Sequence, residues 1–281
     1  MAENTEIFCQ ALAVYLQRQL GIRTQYVGGI PWQERERLFD QGKIQLLWLC
    51  GLPYVDRADA PDSRMELLAV PVPQGPRYYR QPIYFSDIVV RRRSRFETFD
   101  DLRGAAWAYN EPRSHSGFNI VRAYLGGKGE TDGFFREGVE SGAHSASLEL
   151  VLNGGVEVAA IDSTALEWFT ARQPNLMDKI RVLATLGPSP IPPWVILKSV
   201  PENLRTVLRA LLLRMNKEAC GRAVLALGSL ECLVSARDSD YDPIRRMAET
   251  AERVSPASNS MIDGERDEII MENSLGGKWN G

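Results

Sequence analysis

The sequence predicts an α/β protein of layered sheets and helices, and three observations carry that prediction. Short apolar runs of strand length alternate with helical patterns along most of the chain, as βα units do. The run Lys43-Ile44-Gln45-Leu46-Leu47-Trp48-Leu49 has the apolar density of a strand covered on both faces, so mostly parallel sheets are expected. The length of 281 residues, with 44% hydrophobic and 25% charged side chains, suits one large unit or two lobes of ordinary size.

The chain opens on a helix: Ile7, Ala11, Val14, Tyr15 and Leu20 recur at helical spacing, and Gly21 stops the pattern. Tyr26-Val27, a polar helical stretch from Gln33 to Phe39 and the Lys43–Leu49 strand follow. Further strands read at Glu66–Val72, Ile83–Val90, Ala105–Tyr109, Val156–Ile161, Ile180–Leu186 and Trp194–Leu197. Helical patterns fall at Phe118–Leu125, Ala146–Leu152, Thr164–Thr170, Glu202–Met215 and Asp242–Val254. Gly126-Gly127-Lys128-Gly129 follows a helix instead of a strand and reads as a helix end, not a phosphate loop. From Ser255 the sequence turns small and polar, and residues 255–281 are expected to be a loose tail.

Charge and composition exclude several function classes. Thirty-three basic residues face 36 acidic ones, so no electrostatic footprint for nucleic acid or anionic lipid exists, and membrane insertion is not expected. Arg91, Arg92, Arg93 and Arg95 form a local basic cluster that reads as a solvated strand end. Cys9, Cys50, Cys220 and Cys232 form no CxxC pair and are expected to be buried thiols, with no metal and no cofactor. Residues 1–20 carry Glu3, Glu6 and Arg18 and show no apolar signal core.

The two histidines of the chain carry the strongest local signal. Ser114-His115-Ser116-Gly117 lies between the strand ending at Tyr109 and a helix starting near Phe118. Ser141-Gly142-Ala143-His144-Ser145 precedes another helix in the same way. Backbone N–H groups, hydroxyls and the positive end of a helix dipole face one point at such a junction and suit an oxyanion. Singly, each segment reads as a helix cap; together, with both histidines, they favour a site. Asp162 ends another strand and is either a ligand acceptor or the cap of the next helix. Cys50-Gly51-Leu52-Pro53-Tyr54 is a further strand-to-helix turn, with the Tyr54 hydroxyl as a donor. No Gly-x-Ser-x-Gly elbow, Walker loop or Gly-x-Gly-x-x-Gly accompanies these groups.

Several segments, in order, resemble the phosphate/phosphonate-type periplasmic substrate-binding proteins of ABC transporters. They are Gly51-Leu52-Pro53-Tyr54, Tyr84 to Val90, Phe99 to Gly104, Ser114 to Gly117, Gly142-Ala143-His144, and Val151 to Gly154 followed by Val158 to Asp162. The resemblance covers roughly residues 5 to 250 and implies a two-lobed type II periplasmic-binding-protein fold, with the ligand cleft between the lobes. It implies a discontinuous first lobe, residues 1–88 and 191–254, and an inserted second lobe, residues 89–190. The chain is expected to cross near Asp87–Arg91 and Gly187–Pro192, and closure about these hinges would trap the ligand. Tyr54 and Tyr84 look like first-lobe contacts. Ser114, His115, Ser116, Gly117 and His144 look like the second-lobe anion cradle, and Asp162 is similar in position to a cleft-lining polar residue. In Ile191-Pro192-Pro193-Trp194 no carboxylate stands ready for an ammonium group, and Trp194 is expected as a stacking wall. The family's first strand precedes its first helix, whereas this chain begins in what resembles the loop after it. A start assigned too late is therefore expected, and the lack of a readable signal leaves the compartment open: extracytoplasmic by resemblance, with the cytoplasm as the alternative.

The expected function is therefore a solute-binding protein for a small oxyanion that hands it to an ABC transporter permease. Two alternatives stand beside it on the same fold: an enzyme of small-molecule or cofactor metabolism, with His115 as acid/base and Asp162 as its partner, and a ligand-sensing module.

Overall fold

The computed structural model describes residues 5–257. Helix α1 (Glu6–Leu20) forms where the apolar spacing predicts it and ends at Gly21, whose φ of 68° is the left-handed conformation that glycine adopts without strain. Next come α2 (Trp32–Asp40), β1 (Leu46–Trp48), α3 (Gly51–Ala58), β2 (Met65–Pro73) and β3 (Ile83–Arg91). The middle of the chain forms β4 (Ala106–Tyr109), α4 (Ile120–Gly127), β5 (Asp132–Phe135), β6 (Glu137–Glu140), α5 (His144–Asn153), β7 (Val158–Asp162), α6 (Ser163–Arg172) and β8 (Ile180–Pro190). It closes with β9 (Trp194–Leu197), α7 (Glu202–Arg214), α8 (Ala219–Leu227), β10 (Leu230–Val234), α9 (Asp242–Ala251) and β11 (Ser255–Ala257). No helix among the described residues is long and apolar enough to cross a membrane.

The strands divide into two main sheets, one ordered β1-β9-β2-β10 and the other β6-β4-β7-β3-β8. The α/β layers are as expected, but the strand sense is more mixed than the sequence implies. Parallel pairing in the main sheets is confined to β6-β4-β7, whose members are joined by crossovers that contain α4 or α5. In the four-strand sheet β9 arrives from the second sheet and lies between β1 and β2, antiparallel to both. Apolar density reports burial on two faces, which an antiparallel strand also reaches when helices cover it. Elements β5, β6, α8 and β10 are additional to those the pattern predicts. The loose tail is corrected at its start: Ser255–Ala257 pair in parallel with β5, while residues 258–281 lie outside the described residues.

Each sheet has its own aromatic core. Phe8 of α1 sits edge-on to Trp48 and Trp194, at 5.7 and 6.3 Å between ring centroids, and the two indoles stack at 5.4 Å. Trp194 is therefore core beneath the first sheet, which corrects its expected role as a ligand wall. In the second sheet Trp107 stacks on Phe118 at 5.5 Å and on Phe135 at 5.0 Å. Of the cysteines, only Cys9 is buried; Cys220 is exposed, and Cys50 and Cys232 are half-buried, which corrects the buried-thiol expectation. Arg92, Arg93 and Arg95 are exposed beyond β3, as a solvated strand end should be.

Phe8 is fully buried where α1 meets the first sheet. Truncation to Phe8→Ala leaves a cavity beside both indoles and should cost about 3–5 kcal/mol, measured by urea unfolding. A loss below about 1 kcal/mol would mean that α1 is not anchored by this ring.

Candidate functional site

Strand ends build the site. The C-terminal ends of β1, β4, β6 and β7 each turn into a helix, and all four turns contribute to one cavity of about 740 Å³. From the first sheet come Leu47, Trp48, Leu49 and Cys50; from the second come Tyr84, Ser114, Ser116, His144 and Asp162.

The turn after β4 is tight. Ser114 caps a π-helical turn, His115–Asn119, and its Oγ accepts from the Gly117 N–H at 3.0 Å. The turn then runs directly into α4, so its first residues stand at the positive end of a continuous helix. The Ser86 hydroxyl on β3 donates to the Ser116 carbonyl and pins the turn to the sheet. After β6, α5 begins at His144 with no side-chain cap on its first residue. His144 Nε2 lies 3.3 Å from Ser116 Oγ, so the two helix starts meet.

Three buried polar atoms of cavity-lining residues make no well-formed hydrogen bond, the Tyr84 hydroxyl, Asn110 Oδ1 and His144 Nδ1, although Tyr84 stands beside Ser116 and His144 beside the Ala160 backbone. Tyr84 is 1% exposed and His144 7%. Burial pushes the Tyr84 phenol well above its ordinary value and lowers the His144 imidazole to about 4, so both are neutral at pH 7. Asp162 serves as the helix cap: its Oδ1 accepts from the Thr164 N–H at 2.8 Å, the Thr164 hydroxyl at 2.7 Å and the Ala165 N–H at 3.4 Å. It also lines the cavity, and burial raises its carboxyl.

Three expected site residues stand elsewhere. Tyr54 donates to Asp238 Oδ1 at 2.7 Å and packs its ring 4.5 Å from Tyr241, inside the core beneath α3. His115 is fully buried, with Nε2 2.9 Å from Ser189 Oγ and Nδ1 3.1 Å from the Asn119 amide; burial lowers it to about 3. Gly117 does not reach the wall either. Its role is spatial, because an added Cβ would stand 1.9 Å from Asn110 Oδ1.

The sequence pattern gave no sign of Trp32, Glu36, Glu111 and Trp168, which also line the cavity. Burial, with Glu36 and Glu140 nearby, raises Glu111 to about 7. Glu111 lies two residues past the end of β4, where the strand-end rule for open α/β sheets would have directed attention.

Both histidines titrate near 6.5 when unfolded and near 3–4 when folded, so the unfolded chain binds more protons between these limits. Their contribution to stability is present above pH 6.5 and lost as pH falls toward 4, by up to about 1.4 kcal/mol per pH unit for each. Glu111 acts with the opposite sign, losing stability as pH rises from about 4.5 to 7. Urea midpoints measured from pH 7 to pH 4 should therefore fall less steeply in a His115→Asn variant than in the unaltered chain. Equal slopes would show that His115 is not held neutral by the fold.

Comparison with known proteins places this geometry. The binding-protein component of an ABC phosphonate transporter from Pseudomonas aeruginosa superposes with a TM-score of 0.78 at 18% identity, over 90% of this chain and 83% of that one. PhnD1 from Prochlorococcus marinus, solved in complex with methylphosphonate, gives 0.78 at 17% identity, over 90% and 96%. A Xanthomonas citri protein bound to ATP gives 0.69 at 14% identity, over 91% and 95%. At these identities the likeness shows the two-lobed binding-protein fold. Family is shown independently: the model of the phosphonate periplasmic substrate-binding proteins of ABC transporters matches residues 2–241, most of the 281-residue chain, and the chain belongs to that family.

Proposed function

We propose that this substrate-binding protein closes around a small tetrahedral oxyanion, phosphate or a phosphonate, and delivers it to an ABC transporter permease outside the cytoplasm. The observation that carries the proposal is the meeting of two helix starts on the cavity wall, with Ser116 Oγ 3.3 Å from His144 Nε2, beside a Tyr84 hydroxyl and a His144 Nδ1 that make no well-formed hydrogen bond. Buried polar groups without partners are rare, and a ligand oxygen that hydrogen-bonds to them removes the cost. Ser114 and Ser116 add hydroxyls, and the two helix starts supply dipole ends directed at the same anion.

The hinge is assigned to the crossing strands β3 and β8, with residues up to 88 and 191–254 as one lobe and 89–190 as the other. Support comes from their long antiparallel register, Ile83↔Pro190 through Arg91↔Ile180, which keeps the two crossings side by side. The enzyme alternative draws no support from the site. Its acid/base, His115, is sealed from the cavity, and its partner, Asp162, is engaged as a helix cap. We assign the protein no catalytic step.

Calorimetric titration of the full chain with phosphate, phosphite, methylphosphonate and sulfate tests the reading. At least one phosphorus oxyanion should bind, and Tyr84→Phe, which deletes a single oxygen, should weaken it by about 5–150-fold, the equivalent of 1–3 kcal/mol. Ser116→Ala should weaken binding in the same direction. Normal affinity in both variants would remove the cradle from the binding site.

A further inference from the structure

Outside the cradle, the same cavity extends over an apolar and aromatic wall. Ile30, Pro31 and Trp32 line it where α2 begins, and Trp168, Ala171 and Arg172 line it along α6. Trp32 is the more telling of the two indoles. It opens α2 on a polar stretch, Gln33-Glu34-Arg35-Glu36-Arg37, before the core residues Leu38 and Phe39, is half-buried, and joins none of the four hydrophobic cores. A large aromatic ring at the start of a helix, outside every core, gains little for the fold there, yet it lines the cavity. Trp168 only borders a core, and its ring is held by the Arg172 guanidinium 3.9 Å from its centroid. The cavity, about 740 Å³, also exceeds what a bare oxyanion fills and falls in the range of about 300–1,000 Å³ typical of drug-sized ligands.

We propose that the ligand is an organophosphonate or phosphomonoester with a planar aromatic substituent, its phosphorus end in the Ser114/Ser116/His144 cradle and its ring against Trp32 and Trp168. This deepens the oxyanion reading and rests on it. The cradle supplies the hydrogen bonds common to all such ligands. The two indoles supply the discrimination among them, because ring contacts add stabilisation that a methyl group cannot match.

The test compares phosphate, methylphosphonate and benzylphosphonate by calorimetry on the full chain. Benzylphosphonate should bind about tenfold more tightly than methylphosphonate. Trp32→Ala and Trp168→Ala should each abolish most of that ratio, while Trp32→Phe should keep it. Trp32 stands outside the cores, so its variants should fold, and an unchanged melting temperature checks this. Benzylphosphonate binding no tighter than methylphosphonate, or an unaltered ratio in Trp32→Ala, would overturn the aromatic wall and leave the oxyanion reading intact. If none of the three ligands binds the folded chain, the oxyanion reading itself fails.

Discussion

Strand β3 is the constraint on which the rest of the arrangement depends. It pairs antiparallel with β7 on one side and β8 on the other, and so fixes Ser86 opposite Asp162 and Tyr84 opposite Ser189. Along a few residues it presents Tyr84 to the cavity, anchors the anion turn through Ser86, and buries the Asp87 carboxylate. Asp87 is fully buried and so requires partners. Arg77 donates to both of its oxygens at 2.9 and 2.8 Å, and Thr185 on β8 adds a third donor at 2.8 Å. A buried carboxylate that loses such a partner is strongly destabilising, so β3 and β8 are held in register beside the cavity.

The proposed cradle offers an anion neutral groups. Hydroxyls, helix amides and an imidazole kept uncharged by burial make up the cradle, and the Asp162 carboxyl beside it is engaged as the cap of α6. Fixed dipoles interact favourably with an anion, and they carry no net charge of their own that must be neutralised when the cavity is empty. Shape and hydrogen-bond geometry then decide which oxyanion fits.

Much of this was legible in the sequence. Helix α1 and its stop at Gly21, strands β2, β3, β4, β7 and β9, and the coincidence of small polar residues with helix starts follow from local rules of periodicity and capping. Side-chain direction inside a turn does not. In the π-helical turn Ser114 and Ser116 reach the cavity while His115 between them points into the protein, and no spacing rule separates the three. The direction of Tyr54 is hidden for a related reason, since its partners Asp238 and Tyr241 lie far along the chain. Trp32, Glu111 and Trp168 are distant in sequence and meet only through the packing of the two sheets. The sense of β9 was equally hidden, because local pattern records how deeply a strand is buried and not which neighbour it enters between.

The stacked indoles of the first sheet have an optical meaning. Trp48 lines the cavity, is fixed by a 2.7 Å hydrogen bond from its Nε1 to the Pro192 carbonyl, and lies parallel to Trp194, which is sealed in the core. One chromophore of a stacked pair therefore lines the cavity, as do Trp32 and Trp168. A ligand changes the asymmetric surroundings of these indoles, so the near-ultraviolet circular dichroism and emission of the unlabelled protein are a natural report of whether the cleft is filled.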